Sequence, residues 1–226
     1  MNNEKFHIFS ENDKKCLDLL EKYITNNYSN QRKPKYSNLY YLYYIYYVLK
    51  TGTQWKLLLC ECHYTSIYKK FTEWNRLNIF KNYYNSMLND YLIKNIIKNT
   101  LIDSSHIKNI NGSDSIGKNH YDRYRNSTKL HLIIDENRIP LNYCFSGSNI
   151  HDSKMTINLS EKLKLIAKKD RRRTINLVGN KGYISENTRL ELKMSNIYLY
   201  TPIKNYNKKD NTKDNKSKKD QKKYTK

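Results

Sequence analysis

The sequence lacks any uninterrupted apolar run long enough to cross a bilayer, and its mean hydropathy is −0.93. Both features argue against a membrane role. No apolar leader opens the chain, which begins with the polar stretch MNNEKFHIFSENDKK, and only four cysteines are present. Because disulfides persist in oxidising compartments, we expect free thiols in a reducing, intracellular one: the cytoplasm or nucleoid, or the host cell of a virus.

Acidic residues are scarce relative to basic ones: 21 Asp and Glu stand against 42 Lys and Arg, a net charge of +21 over 226 residues. The excess is spread along the chain, with net charges of +7 over residues 1–100, +8 over 101–205 and +6 over 206–226. A polyanion such as nucleic acid is the natural partner for this charge. The codon bias of an AT-rich genome, which favours Lys, Asn, Ile and Tyr, is the alternative explanation.

Apolar residues at helical spacing dominate the first hundred residues. Asn12 or Asp13 is predicted to cap the first helix, and Ser37 and Gly52 are predicted to bound the second. The tyrosine-rich second segment also fits a strand, and periodicity alone does not decide between the two. Residues 1–98 are therefore predicted to form a helical region of helix-turn-helix-like size. Its predicted helices span residues 12–30, 37–51, 65–80 and 82–98.

After the first hundred residues the pattern changes to short strands separated by turns. A strand ending at Asp103 precedes a hairpin, a helix, a strand ending at Asn180, another helix and a last strand, in the order β-β-β-α-β-α-β. This order predicts an α+β or α/β fold over residues 99–205, an incomplete ribonuclease-H-like mixed sheet with flanking helices. Residues 206–226 contain almost no apolar side chains and are predicted to be a disordered, Lys-rich tail.

Six segments of the chain carry a further signal through their order and spacing. They are TGTQWKLLL (51–59), TSIYKKFTEWNRLNIF (65–80), LIDSSHIK (101–108), NSTKLHLIIDENRIPL (126–141), SGSNIHDS (146–153) and LVGNKGY (177–183). Together they resemble the ordered motifs of the DDE transposases of bacterial insertion sequences, which belong to the ribonuclease-H-like superfamily. Any one motif is weak by itself, and the resemblance spans about Tyr36 to Pro202.

The resemblance implies a particular chemistry at the ends of two neighbouring strands. Two Mg²⁺ or Mn²⁺ ions about 4 Å apart would activate a nucleophile and stabilise the leaving oxygen of a DNA phosphodiester. Carboxylates hold such ions, and Asp103 matches the first of the family's three acids, which is both catalytic and a metal ligand. The second acid falls on Asn180, and no segment matches the one that carries the third, a Glu.

Three functions are compatible with the sequence, and the first two follow from this match. The first is a DNA transposase that binds transposon ends or DNA non-specifically, with strand cleavage and transfer impaired because the acidic set is incomplete. The second is a catalytically inactive or repurposed remnant that binds DNA. The third is a basic structural or interaction protein unrelated to transposition. Whether the chain is an enzyme is left open, truncation of its C-terminus is expected, and a homo-oligomer is compatible with the family.

The same resemblance gives residues 1–98 a DNA-binding role and residues 99–205 the role of a partial catalytic domain. Five basic residues are candidate contacts to DNA phosphates, and a solvated basic surface is the alternative for them. These candidates are Lys129, Arg171, Arg172, Arg173 and Lys181.

Other polar residues are interpreted as structural. Asp152 and His151 are expected in a loop that ends in a helix N-cap rather than in a metal site. Asp135 is expected to serve a turn between two strands. Cys60-Glu61-Cys62-His63 is too tightly spaced for the usual zinc arrangement, and no second pair of ligands follows it.

Overall fold

A computed structural model describes residues 8–28, 35–109, 112, 114–169 and 174–202 of the chain. The chain divides into two compact units, one ending at Lys94 and the other beginning at Asn95. The predicted Lys-rich tail, residues 206–226, lies outside the described residues, as do Arg171, Arg172 and Arg173.

The first unit is helical, and the tyrosine-rich segment that also fitted a strand is its second helix. None of the helices among the described residues has the length and apolar character needed to cross a membrane. A short 3₁₀ turn at Trp55–Leu57 lies between the second and third helices. The helices are α1 (Glu11–Asn27), α2 (Asn38–Thr51), α3 (Tyr64–Arg76) and α4 (Ile79–Lys94).

Capping interactions between residues a few positions apart set the start of α1 and both ends of α2. The α1 helix begins one residue earlier than expected, because Ser10 and not Asn12 or Asp13 is its N-cap. Asp13 instead completes a capping box with Ser10, in which each side chain accepts from the other residue's backbone N–H. For α2 the prediction is confirmed: Ser37 caps its start, and Gly52 ends it in the left-handed conformation at φ 70°.

The third predicted helix is interrupted where the sequence showed no break. Residues 65–80 were expected to form one helix, but α3 ends at Arg76 and α4 begins at Ile79. Asn78 adopts φ 54° between them, a conformation that Asn tolerates better than most residues. Ile67 and Trp74 of α3 and Ile79 of α4 are all buried on the same core, so the apolar pattern continues across the break.

The second unit is built on a six-stranded mixed sheet, and the expected strand and helix order is confirmed. Its central strand β1 pairs antiparallel with β3 and parallel with β5, and β5 pairs parallel with β6. Strand β4 and the short, unpredicted β2 share the outer edge of β3. The strands are β1 (Asn99–Lys108), β2 (Gly117–Asn119), β3 (Arg125–Asp135), β4 (Pro140–Gly147), β5 (Ile175–Gly179) and β6 (Ile197–Tyr200).

Two helices, α5 (Asp152–Lys169) and α6 (Glu186–Lys193), pack against each other and against the sheet. Burial alternates along β1, where Thr100 and Ile102 face the interior while Leu101 and Asp103 are exposed. Period-two alternation of this kind means that the sheet has a covered face and an exposed face. Asp103 therefore lies on the exposed face of the central strand.

Candidate functional site

Strand β1 does not end at Asp103, as the sequence suggested, but continues to Lys108. Its parallel pairing with β5 stops at Ile102 opposite Gly179, while its antiparallel pairing with β3 runs on to Lys108. The residues beyond Asp103 lack an apolar alternation, and pairing with β3 holds them in the strand. Asp103 is thus the first β1 residue past the point where β5 leaves the sheet.

Asp103 and Asn180 meet at this point. The Asn180 Nδ2 donates to Asp103 Oδ1 at 3.3 Å, and both residues are exposed. The backbone N–H of Ser104 also donates to Asp103 Oδ1, at 2.8 Å. Asn180 follows β5 directly and caps a short 3₁₀ turn at Lys181–Tyr183. The neighbouring strand ends therefore bring together one carboxylate and one amide.

The Asn180 side chain is committed to hydrogen bonds through both of its polar atoms. Its Oδ1 accepts from the Gly182 N–H at 2.8 Å, while its Nδ2 is the donor to Asp103. An aspartate at this position would present only acceptors to a cation. Here an N–H points at the carboxylate that a cation would need, and the amide brings no negative charge.

A two-metal site needs several hard oxygen ligands that carry negative charge. Among the described residues, no group of three or more His, Cys, Asp or Glu side chains is placed to hold a metal ion. With Asp103 as the single carboxylate of the Asp103–Asn180 pair, this donor set does not fit a pair of divalent cations. The misfit arises from the ligand chemistry of the side chains.

Lys129 lies in the interior next to this site. Its Nζ donates to Asp152 Oδ1 at 2.9 Å and to the Ile150 carbonyl at 2.8 Å, and its side chain is only 8% exposed. Both alternatives from the sequence, a phosphate contact and a solvated basic surface, place this ammonium in solvent. The structure instead places it in a buried ion pair that joins β3 to the start of α5.

Asp152 is the residue of this region whose role the sequence did not reveal. It was expected near a helix N-cap, but α5 begins at Asp152 itself, and the N–H of Ser153 donates to His151 Nδ1 at 3.4 Å. The Asp152 Oδ1 also accepts from Ser104 Oγ on β1, at 3.1 Å. Asp152, the first residue of α5, therefore links this helix to both β1 and β3.

Gly182 connects Asp152 with the Asn180 turn. A Cβ at Gly182 would lie 2.7 Å from Asp152 Oδ2 and 3.0 Å from Asn180 Oδ1. The first distance is shorter than carbon–oxygen contacts allow and the second is tight, so a side chain at residue 182 would have to displace the carboxylate of Asp152 or the amide of Asn180. The turn that carries Asn180 thus lies close to the Lys129–Asp152 ion pair.

Two histidines extend this polar region on the covered face. His131 is fully buried, its Nε2 lies 2.8 Å from Ser146 Oγ, and its Nδ1 lies 3.9 Å from Asp152 Oδ1. Burial lowers the pKa of His131; Asp152 acts in the opposite sense, and Lys129 lowers the pKa further. His106 Nδ1 lies 2.9 Å from Ser148 Oγ, and burial also lowers its pKa.

Three other residues singled out in the sequence, Lys181, Asp135 and Cys62, lie in different surroundings. Lys181 is exposed directly after Asn180. Asp135 has the turn role expected of it, because its Oδ1 accepts from the N–H groups of Asn137 and Ile139 at 2.9 and 2.8 Å. In the first unit, the Cys62 Sγ accepts from the Tyr40 hydroxyl at 3.8 Å.

The fold class follows from the second unit. A sheet with antiparallel β4, β3 and β1, continued by parallel β5 and β6, has the ribonuclease-H-like order β4-β3-β1-β5-β6. The sequence model of the family described as "Transposase DDE domain" matches residues 97–226. The chain therefore belongs to the transposase DDE domain family. Its site departs from the family resemblance at Asn180.

Solved structures of two transposases are similar to this chain at low identity. The piggyBac transposase synaptic complex with hairpin DNA matches with a TM-score of 0.42 at 7% identity, over 88% of this chain and 44% of that one. The pre-cleavage Mos1 transpososome has a TM-score of 0.33 at 14% identity, over 87% and 70%. The Mos1 strand transfer complex has a TM-score of 0.31 at 13% identity, over 83% of this chain and 66% of that one.

This chain therefore spans less than half of the piggyBac transposase chain that it matches. No curated protein sequence matches it.

Proposed function

We propose that this chain is a DNA-binding member of the transposase family that does not cleave DNA by itself. The observation that carries the proposal is the pair at the ends of β1 and β5. An amide occupies the place of the second carboxylate and donates a hydrogen bond, at 3.3 Å, to the first.

The chemistry of strand cleavage explains why this single position matters. A water or a 3′-hydroxyl must lose a proton as it attacks phosphorus, and the departing oxygen must receive compensating charge. In the family's mechanism divalent cations supply both effects, and carboxylates hold them. Asp103 provides one such group, whereas Asn180 contributes an N–H donor and no charge. We expect the affinity of this pair for Mg²⁺ or Mn²⁺ to be low.

Binding to DNA does not require this metal site. The net charge of +21 favours a polyanionic partner, because Lys and Arg that neutralise phosphates release condensed counterions. Lys181 is exposed beside the Asp103–Asn180 pair and is a candidate phosphate contact in the second unit. Arg171, Arg172 and Arg173 remain candidates on sequence grounds alone. A homo-oligomer is compatible with this function and is not required by it.

The experiment has two readouts, cleavage of a plasmid and affinity for a linear duplex. Supercoiled plasmid is incubated with the chain and Mg²⁺ or Mn²⁺, and conversion to the open-circular form is followed. We expect no conversion above a protein-free blank, and the same result for Asp103→Ala. Nicking by the parent chain that Asp103→Ala abolishes would show an active site and contradict the proposal.

The second readout is the affinity for a linear duplex as a function of salt. We expect log K to fall linearly with log salt concentration, as counterion release requires. A flat dependence, or no binding at low salt, would remove DNA as the partner.

A further inference from the structure

Helix α3 has two chemically different sides. Its inner side buries Ile67 and Trp74, which are 0% and 2% exposed. Its outer side follows the spacing i, i+1, i+4, i+7 and i+8, so its members form one continuous stripe on the helix surface. This outer stripe consists of exposed Tyr68, Lys69, Thr72, Asn75 and Arg76.

The charges of α3 leave this outer stripe positive. The one acid of the helix, Glu73, is paired with Lys70, whose Nζ lies 3.1 Å from Glu73 Oε2 and 5.5 Å from the centre of the Trp74 ring. Within the described part of the chain, Lys69 and Arg76 have no salt-bridge partner. Two cationic groups on the same stripe are therefore available to an anionic partner.

Positive charge is not uniform over the first unit. Helix α1 has four acidic and three basic residues, whereas α3 has one acidic and three basic residues. Helices α2 and α4 each carry a net charge of +1, so α3 with +2 is the most basic of the four. The contrast therefore favours α3 over α1 as the side that meets a polyanion.

The side chains of the outer stripe are also of the types that contact duplex DNA. Lys and Arg contact phosphates, and Arg, Asn and Thr can hydrogen-bond either phosphates or base edges. An α-helix fits the major groove of B-form DNA, which is about 12 Å wide. The Tyr68 ring contacts the Trp55 ring edge-on at a centroid distance of 5.4 Å, which holds the Tyr68 side chain against the first unit.

The helix is firmly held at both ends as well as along its inner side. His63 is its N-cap and accepts from the N–H of Thr65. At the other end, α4 starts only three residues after Arg76, and Ile79 is fully buried. The outer stripe is therefore presented by an ordered element, so little conformational entropy needs to be lost when it binds.

We propose that the outer stripe of α3 is the surface through which the first unit binds duplex DNA, with Lys69 and Arg76 contacting phosphates. The proposal rests on the DNA-binding function proposed above. It goes beyond that function by placing the contact on one face of one helix.

The test compares two double variants that remove the same charge from different helices. Lys69→Gln/Arg76→Gln changes the outer stripe, and Lys15→Gln/Lys22→Gln changes exposed positions on α1. Affinity for a fluorescein-labelled duplex is measured by anisotropy over a range of salt concentrations. Loss of two phosphate contacts should lower the slope of log K against log salt by about 1.8, and weaken binding roughly 10- to 100-fold near 0.1 M salt.

A third variant, Lys69→Arg/Arg76→Lys, keeps both charges and should keep the parent slope. Circular dichroism on all the proteins checks that the helices form. If the parent chain binds and the outer-stripe variant keeps the slope of the α1 variant, the surface is wrong while the proposed function stands. If the parent chain shows no salt-dependent binding, the proposed function fails and the surface fails with it.

Discussion

The replacement of one carboxylate oxygen by an amide nitrogen reverses the electrostatics of a contact without changing its shape. Asp and Asn have almost the same volume, and position 180 still follows β5 and caps the turn at Lys181–Tyr183. A carboxylate would repel Asp103 unless a cation lay between them. Asn180 instead donates to Asp103 directly. The pair is therefore satisfied within the protein, and a cation would have to break its hydrogen bond.

The sequence alone located these two residues but not their contact. Asp103 and Asn180 were expected at one edge because parallel neighbouring strands bring their carboxyl ends together, and the structure places them in hydrogen-bond distance. The Gly182 N–H decides which Asn180 atom faces Asp103. Because this N–H donates to the Asn180 oxygen, the Asn180 nitrogen is left to face Asp103. That detail arises from the backbone of the turn, which residue types do not specify.

The buried His131 gives the protein a defined pH dependence. Its pKa in the folded state lies below the ordinary value of 6.5, because burial disfavours the charged ring. The unfolded chain therefore binds a proton first as the pH falls through about 6.5. The contribution of His131 to the free energy of unfolding should be constant above this pH. It should decrease below this pH until His131 is protonated in the folded state as well.

The measurement is urea denaturation between pH 7.5 and 5, with His131→Gln and exposed His120→Gln as the test and control variants. His131→Gln should reduce the slope of stability against pH, which for one proton is at most about 1.4 kcal/mol per pH unit. His106 contributes in the same sense, so some slope should remain. Equal slopes for both variants would refute this role of His131.

At the scale of elements, local chemistry was predictable and long-range contacts were not. Ser37 and Gly52 bound α2 as expected, since capping depends on residues a few positions apart. The break at Asn78 was missed because Ile79 continues the apolar pattern. The length of β1 was missed because its second half is held by β3, more than fifteen residues later in the chain.

The Lys129–Asp152 ion pair is the clearest case of an element contact with a measurable effect. Replacing Lys129 by Met keeps most of the side-chain volume but leaves the Asp152 carboxylate, 18% exposed, without its cation. Such a change typically costs about 2–4 kcal/mol, less than for a fully buried charge because Asp152 is partly solvated. We expect Lys129→Met to lower the free energy of unfolding by roughly this amount in urea.

Exposed Lys181→Met is the matched control and should change stability by no more than about 0.5 kcal/mol. The double variant Lys129→Met/Asp152→Asn should recover part of the loss, since it removes the uncompensated charge. If Lys129→Met were as stable as Lys181→Met, the ion pair would not be what joins β3 to α5.

At the scale of the whole molecule, the order of elements was predictable because each strand and helix of the second unit has its own pattern. Ordered motifs from about Tyr36 to Pro202 pointed to the same family that the match over residues 97–226 shows. Asp152 was not predictable as a site residue, because its contact with Ser104 joins positions 48 residues apart. A motif places such a residue in a loop, and only the fold brings it to β1.

As a whole molecule, the protein is expected to keep a transposase scaffold and to bind DNA while holding divalent cations weakly. Only the cation binding depends on the side chain at position 180. The fold depends on buried apolar residues and on the Lys129–Asp152 pair, which lie on the covered face, whereas Asp103 lies on the exposed face. A change at Asn180 can therefore alter cation binding while the sheet and the helices remain as they are.

Mn²⁺ binding, followed by the loss of the free-ion electron paramagnetic resonance signal, tests this account most directly. The parent chain should show no saturable site up to millimolar Mn²⁺, whereas Asn180→Asp should bind Mn²⁺ more tightly by at least about tenfold, because a second carboxylate then faces Asp103. Adding Asp103→Asn to that variant should remove the gain. Tight, saturable binding by the parent chain that Asp103→Asn abolishes would contradict the account.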